Sequence, residues 1–255
     1  MLNRQIGVTN TYPNNIEHFT NYKIVVARYN ENIDWLYPLK ENIIIYNKGN
    51  SLQSQYWNTT MTPTTTNNPT TTSNLITNVN YFEVTNMGRE TETYLRYIID
   101  NYHNLPDVIC FTQGNIKDHR KGDPLIIIKN YIQEAFEQGY SNPSSNDISK
   151  HPQKGWLVKN WDRRPGGKHV FSSRPKMKFK NSNKITWWDD WFTEHIKKDY
   201  PKTFAVYLNG IFAVSRQKIL NRPKSFYKNM ILEVNHHVNP IEGHYFERAW
   251  YYIFN

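Results

Sequence analysis

Apolar residues in this chain fall into short runs that end abruptly in polar turns. Ile24-Val25-Val26-Ala27 gives way to Arg28-Tyr29-Asn30-Glu31, and a β-branched run of that length closed by a charged turn predicts a buried strand. A second run, Asn42 to Tyr46, stops at Asn47-Lys48-Gly49-Asn50, and a third, Asp107 to Phe111, stops at Thr112-Gln113-Gly114. Phe204 to Val214 reads as a further strand, interrupted by Asn209-Gly210. Between these lie helical spacings. Ile33 to Leu39 predicts a short helix stopped near Pro38, Thr91 to Tyr102 places Tyr94, Leu95, Ile98 and Ile99 on one face, and Asp123 to Phe136 supplies another helix. The last helix opens with Asn239-Pro240-Ile241-Glu242, an Asn cap, a first-turn Pro and a Glu three after the cap, and turns Phe246, Trp250 and Ile253 to the core. Strands alternating with helices predict a single α/β domain, a mixed sheet flanked by helices, over residues 21–255, with residues 1–20 as an N-terminal extension.

In such sheets ligands bind beyond the carboxyl ends of the strands. Arg28, Tyr29, Asn30 and Glu31 fall there, offering a charge for a diphosphate, a ring for a base, and an amide and a carboxylate for sugar hydroxyls. Gln113 and Gly114 fall at another carboxyl end. An ordinary strand-to-helix turn carries the same residue types, so position alone leaves both readings open.

Composition narrows the partners. The formal net charge is +9, from 31 Lys and Arg against 22 Asp and Glu, which favours anionic ligands: nucleic acid, anionic lipid or phosphate-bearing small molecules. Basic residues concentrate in a loop-rich region, 150–180, where Lys176, Lys178 and Lys180 alternate with Met177 and Phe179 as in an edge strand with a basic outer face. The 58–78 stretch is crowded with Thr, Asn and Pro and predicts an exposed loop. One cysteine, Cys110, sits in an apolar run and excludes an internal disulfide. No signal peptide and no membrane-length apolar stretch is visible, so the expected location is the cytoplasm, of a host or within a virion if the source is viral.

Several chemistries find no motif: there is no G-x-G-x-x-G fingerprint, no P-loop, and no Ser or Cys nucleophile signature. Asp189-Asp190, between Trp188 and Trp191, is the best metal candidate, although the same residues read as the wet face of an amphipathic helix. His236, His237 and His244 lack zinc-site spacing. His244 and Arg248, four apart, share a helix face.

The segments VVARYNENIDWL, NMGRE followed by TYLRYIIDNY, LPDVICFTQG, NGIFAVSRQKI, RPKSFY and EGHYFERAW resemble an uncharacterised glycosyltransferase-like family of fungi, bacteria and large DNA viruses, related to the GT-A nucleotide-sugar transferases. The resemblance spans most of the chain from Tyr22 onward. It implies a GT-A-like domain that transfers a sugar from a nucleotide-sugar donor, UDP-linked in the first instance, to a glycan, glycoprotein or other hydroxyl acceptor. Thr112-Gln113-Gly114 stands where these enzymes carry an Asp-x-Asp metal motif, which argues against bound Mn²⁺ or Mg²⁺ and for neutralisation by Arg28, Arg89 and Arg216, as in metal-independent relatives. Glu242, with Glu233 as the second choice, is then the base that takes the acceptor's proton; Glu242 also suits a capping box. His244 and Arg248 fall on the donor side. The alternatives are a degenerate transferase fold serving as a non-catalytic carbohydrate-binding or virion structural protein, and a nucleic-acid-binding protein, which the basic balance favours but no recognisable RNA or DNA module supports.

Overall fold

The computed structural model describes residues 20–52, 56–57, 64–65, 71–76, 79–117, 121–141, 148–150, 180–181, 187–196, 199, 205–207 and 210–255. Four strands form the parallel heart of a seven-stranded mixed sheet: β1 (Tyr22–Arg28), β2 (Ile43–Asn47), β5 (Val79–Val84) and β6 (Val108–Gln113). Two antiparallel strands, β3 (Thr64–Thr65) and β4 (Thr71–Ile76), extend it beyond β5, and antiparallel β9 (Phe212–Ser215) closes the other side, giving the order β3-β4-β5-β2-β1-β6-β9. β7 (Ile148–Lys150) and β8 (Ala205–Tyr207) pair separately.

Alternation along the strands divides the core in two. Ile24 and Val26 of β1 face one layer, while Val25 and Ala27 face the other. The first layer includes Ile43, Ile45, Cys110 and Ala213, covered by α2 (Pro124–Gln138) and a 3₁₀ stretch, Asp34–Asn42. The second is the larger and more aromatic, built under α1 (Arg89–Asn101), α3 (Trp188–Ile196), α5 (Lys224–Ile231) and α6 (Ile241–Phe254), with short α4 (Arg216–Leu220) beside β9. Phe212, Trp250 and Phe254 interlock there. Layers on both faces explain why the central strands read as unbroken apolar runs rather than alternating ones. Burial pushes the Cys110 thiol well above its usual range, as expected of an inert core cysteine.

Several expectations shift at their edges. The helix expected to stop near Pro38 is a 3₁₀ stretch that accommodates Pro38 and runs to Asn42 through a kink at Leu39. Part of the 58–78 stretch, read as loop, is paired strand: Thr64–Thr65 and Thr71–Ile76 bond to one another, and the latter to β5. Phe204 to Val214 is not one strand; β8 and β9 lie in different sheets on either side of the Asn209-Gly210 break. α2 is capped by Asp123, whose carboxylate accepts from Leu125 N at 2.8 Å, and ends on Gly139 at φ 83°. Among the described residues no helix is long and apolar enough to cross a membrane. The Lys176 and Lys178 alternation lies outside the described residues.

Candidate functional site

The chain leaves β1 for β2 and β5 on one side and returns to β6 on the other. Strand order therefore reverses between β1 and β6, and the carboxyl ends of strands at such a reversal are where open α/β sheets hold their ligands. The turn after β1 is welded to the turn after β2. Arg28, 6% exposed, donates from Nε to Glu31 O at 3.0 Å and from Nη1 to Asn50 O at 2.7 Å and to the Asn47 side chain. Asn50 N donates to Asn30 Oδ1 at 2.8 Å, and Lys48 N to Arg28 O at 2.8 Å. Gly49 allows this contact: a Cβ there would collide with the Tyr29 carbonyl. On the β6 side, the Glu31 carboxylate accepts from Tyr29 N at 2.6 Å and packs on Gly114, whose carbonyl accepts from Trp35 Nε1 at 2.9 Å. Arg28 is thus a clamp between two turns, with its fork turned to protein oxygens. Tyr29 remains half exposed at the rim, and Gln113 ends β6 half-buried. Beside the weld, a cleft of about 740 Å³ opens between the ends of β2 and β5, lined by Asn47, Gly49, Asn50, Ser51, Glu83 and Val84.

A second group forms where α1 begins. Gly88 and Arg89 both take left-handed backbone, at φ 65° and 54°, a conformation a non-glycine residue adopts only when its surroundings hold it there. Lys48 does much of the holding. Its buried ammonium donates to Met87 O, Arg89 O and Glu92 Oε2 at 2.5, 2.6 and 2.8 Å, using all three protons. The Arg89 guanidinium reaches Glu247 at 3.1 Å and Glu90 at 3.5 Å, and its Nη1 lies 2.8 and 2.7 Å from the two ring nitrogens of His244. Arg248, buried, donates to His244 O and lies 3.7 Å from Glu247. The two carboxyls of this group are driven apart. Burial pushes Glu247 up, but Arg89, His244 and Arg248 outweigh it and hold its carboxylate far below the usual range. Burial raises Glu90, Arg89 only partly opposing it and Glu247 adding to the rise. Glu90 Oε1 is buried without a hydrogen bond among the described residues, beside Gly210, and Gly210 O accepts from Tyr94 Oη at 2.5 Å. Two guanidinium groups, Arg89 and Arg248, thus face the ionised Glu247, with Glu90 beside Arg89.

His244 is held below its ordinary value by burial first and by Arg89 second. A depressed histidine stabilises the fold above its unfolded value, about 6.5, and that contribution is lost as pH falls through the folded value. The melting temperature of the wild type should therefore drop relative to that of His244→Asn between pH 7 and pH 5, measured by calorimetry in matched buffers. Parallel curves would remove this role.

The two carboxylates nominated as bases share a third group. Glu242, 2% exposed, accepts from Lys180 N at 2.9 Å and pairs with His236 at 3.3 Å. Glu233 takes Lys180 Nζ at 2.6 Å and His195 at 3.4 Å. Burial raises Glu242, opposed by Lys180 N–H and by His236. The capping box does not form: α6 starts at Ile241 with Pro240 before it and no side-chain cap.

Other nominated residues fall elsewhere. Arg216 sits at the amino end of β6, on the opposite edge of the sheet, paired with Asp107 at 2.7 Å and half exposed, so it cannot meet a ligand held near Arg28. The strand that leads to it, β9, runs antiparallel to β6, and that reversal is what carries Arg216 away. Asp189 and Asp190 occupy the first turn of α3, where the helix dipole favours acids, while Trp188 and Trp191 enter the core. Among the described residues no group of three or more His, Cys, Asp or Glu side chains is placed to hold a metal ion. Lys48, Glu90 and Glu247 escaped the sequence reading. A signal existed for Glu247, which continues the polar stripe of His244 and Arg248 along an otherwise apolar helix; Glu90 and Lys48 carry none, since first-turn acids and turn lysines are commonplace.

A family model described as "Protein of unknown function (DUF3431)" matches residues 24–255, and the chain belongs to that family. No curated protein and no solved structure matches it.

Proposed function

For this family member we propose a nucleotide-sugar glycosyltransferase whose donor lies across the carboxyl ends of β1 and β6. The observation that carries the reading is the reversal of strand order between β1 and β6, at the edge where Tyr29, Glu31 and Gly114 meet, with the Arg89 group tied by Lys48 to the neighbouring turn after β2. In this reading the exposed Tyr29 ring stacks on the donor base and Glu31 accepts from a hydroxyl. The guanidinium groups of Arg89 and Arg248 stabilise the departing diphosphate, a role that requires cations rather than a particular metal. Arg28 shapes the crevice instead of gripping phosphate. Glu242 takes the proton of the acceptor hydroxyl, with Glu233 and His236 setting its charge. The raised carboxyl of Glu242 suits a base that must hold a proton transiently.

The test is a binding panel of UDP, GDP, CMP and the common UDP- and GDP-sugars on the full chain, each with Mn²⁺, with Mg²⁺ and with chelator. Stabilisation by one nucleotide class, unchanged by chelation, is expected. Silence across the panel at millimolar ligand would reject the reading. A non-catalytic carbohydrate-binding protein on the same fold is the second reading, favoured by the internal commitment of the Arg28 fork; it predicts binding of free glycans without nucleotides.

A further inference from the structure

We infer that the cleft between the ends of β2 and β5 is a subsite for a vicinal diol, a pair of neighbouring ring hydroxyls, with Glu83 as the acceptor that recognises it. At about 740 Å³ the cleft is large enough for a sugar ring with its substituents. Its lining is mainly polar. Asn50 and Ser51 supply an amide and a hydroxyl, Glu83 the only charge among the lining residues, and Val84 a small apolar wall for a ring's C–H face.

Glu83 is placed to act. It is adjacent to Asn47 in the parallel register of β5 on β2, so both stand at the strand ends on the cleft wall. Its Oε1 accepts from Ser51 Oγ at 3.2 Å, while Oε2 makes no hydrogen bond among the described residues. A carboxylate accepts only, and its remaining lone pairs can take two hydroxyls side by side. That geometry suits adjacent O–H donors and repels phosphate or carboxylate, so the occupant is the neutral polyhydroxyl part of a ligand.

The wall is prebuilt. Asn47 Nδ2 donates to Gly49 O at 3.0 Å and to Asn50 O at 3.1 Å, and its Oδ1 is held by Arg28. Leu52 N donates to Tyr81 Oη at 3.4 Å behind it. Binding at such a wall requires little further ordering of the protein.

Two sources carry this chemistry: the ribose of a nucleotide, or a hexose ring of a glycan. The inference does not require the transferase reading, because it is read by binding alone. The experiment compares uridine, 2′-deoxyuridine, methyl glucoside, methyl galactoside and glycerol by calorimetric titration against the wild type, Glu83→Gln and Ser51→Ala. Glu83 is partly exposed at a strand end, so the isosteric change preserves the fold, and an unchanged melting temperature checks it. Binding of uridine but not 2′-deoxyuridine, weakened about tenfold or more by Glu83→Gln, assigns the site to ribose. Binding of a glycoside with the same sensitivity assigns it to a glycan. Either supports the inference, and Ser51→Ala should then lower affinity less than Glu83→Gln does. Absence of binding by every diol, or binding indifferent to both substitutions, overturns it. Nucleoside diphosphates that still bind Glu83→Gln with wild-type affinity, where no glycoside binds the wild type, would overturn the diol site while leaving the transferase reading intact.

Discussion

Arg89→Ala should lower the stability of the protein by about 3 kcal/mol, because it leaves the largely buried, ionised Glu247 without its main counter-charge. The guanidinium joins Glu247, Glu90 and His244, groups brought from α1 and α6. Its removal therefore loosens the junction between those helices as well as one pair. For a chain of this size the melting temperature should fall on the order of 10 °C. The double substitution Arg89→Met with Glu247→Leu should recover part of the loss, since it deletes both charges of the pair while taking Glu247 from the buried Arg248. Chemical denaturation of the wild type and both variants measures this, and a single-variant loss under about 1 kcal/mol would show that the group is better solvated than its burial implies. On the transferase reading, both variants lose diphosphate binding, which separates the stability role from the ligand role.

Gly49→Ala is the second large effect. The added methyl would overlap Tyr29 O and crowd Asn30 Oδ1, so the two turns must part. Parting them breaks the bonds from Lys48 N to Arg28 O and from Asn50 N to Asn30 Oδ1, and strands the buried Arg28 fork. A cost of about 3 kcal/mol is expected from forced overpacking and lost hydrogen bonds. Because the same turns line the cleft and flank β1, nucleoside and diol affinity should fall with it. An alanine variant that melts and binds like the wild type would mean that the turn after β2 is free to move away.

The order of strands and helices was largely legible in the chain because the central strands are buried on both faces and read as short apolar runs. Boundaries of β1, β2, β6 and α2 fall within a residue or two of expectation. β5 was missed: its alternation of buried Val79 and Tyr81 with exposed Asn80 comes directly after a Thr- and Asn-rich stretch, which masks its start. Site residues that lie just past a strand end could be placed, whereas those that depend on tertiary pairing could not. Arg28, Tyr29, Glu31 and Gln113 reach the expected edge of the sheet. The sequence could not show that Arg28 spends its fork on the neighbouring turn, since that partner, Asn50, lies 22 residues away. Arg216 went to the wrong edge because strand direction is invisible in an apolar run. The meeting of Glu233 and Glu242 on Lys180, with His195 beside the first and His236 beside the second, needed separate segments of the chain to come together.

The most direct test of the central claim, a nucleotide-linked ligand lying across the carboxyl ends of β1 and β6, is amide hydrogen exchange of the full chain with and without saturating nucleoside diphosphate. Slowed exchange concentrated in residues 28–50 and 113–117, with smaller effects at 87–90, is the predicted result. Protection confined to other surfaces, or none at saturation, would contradict it.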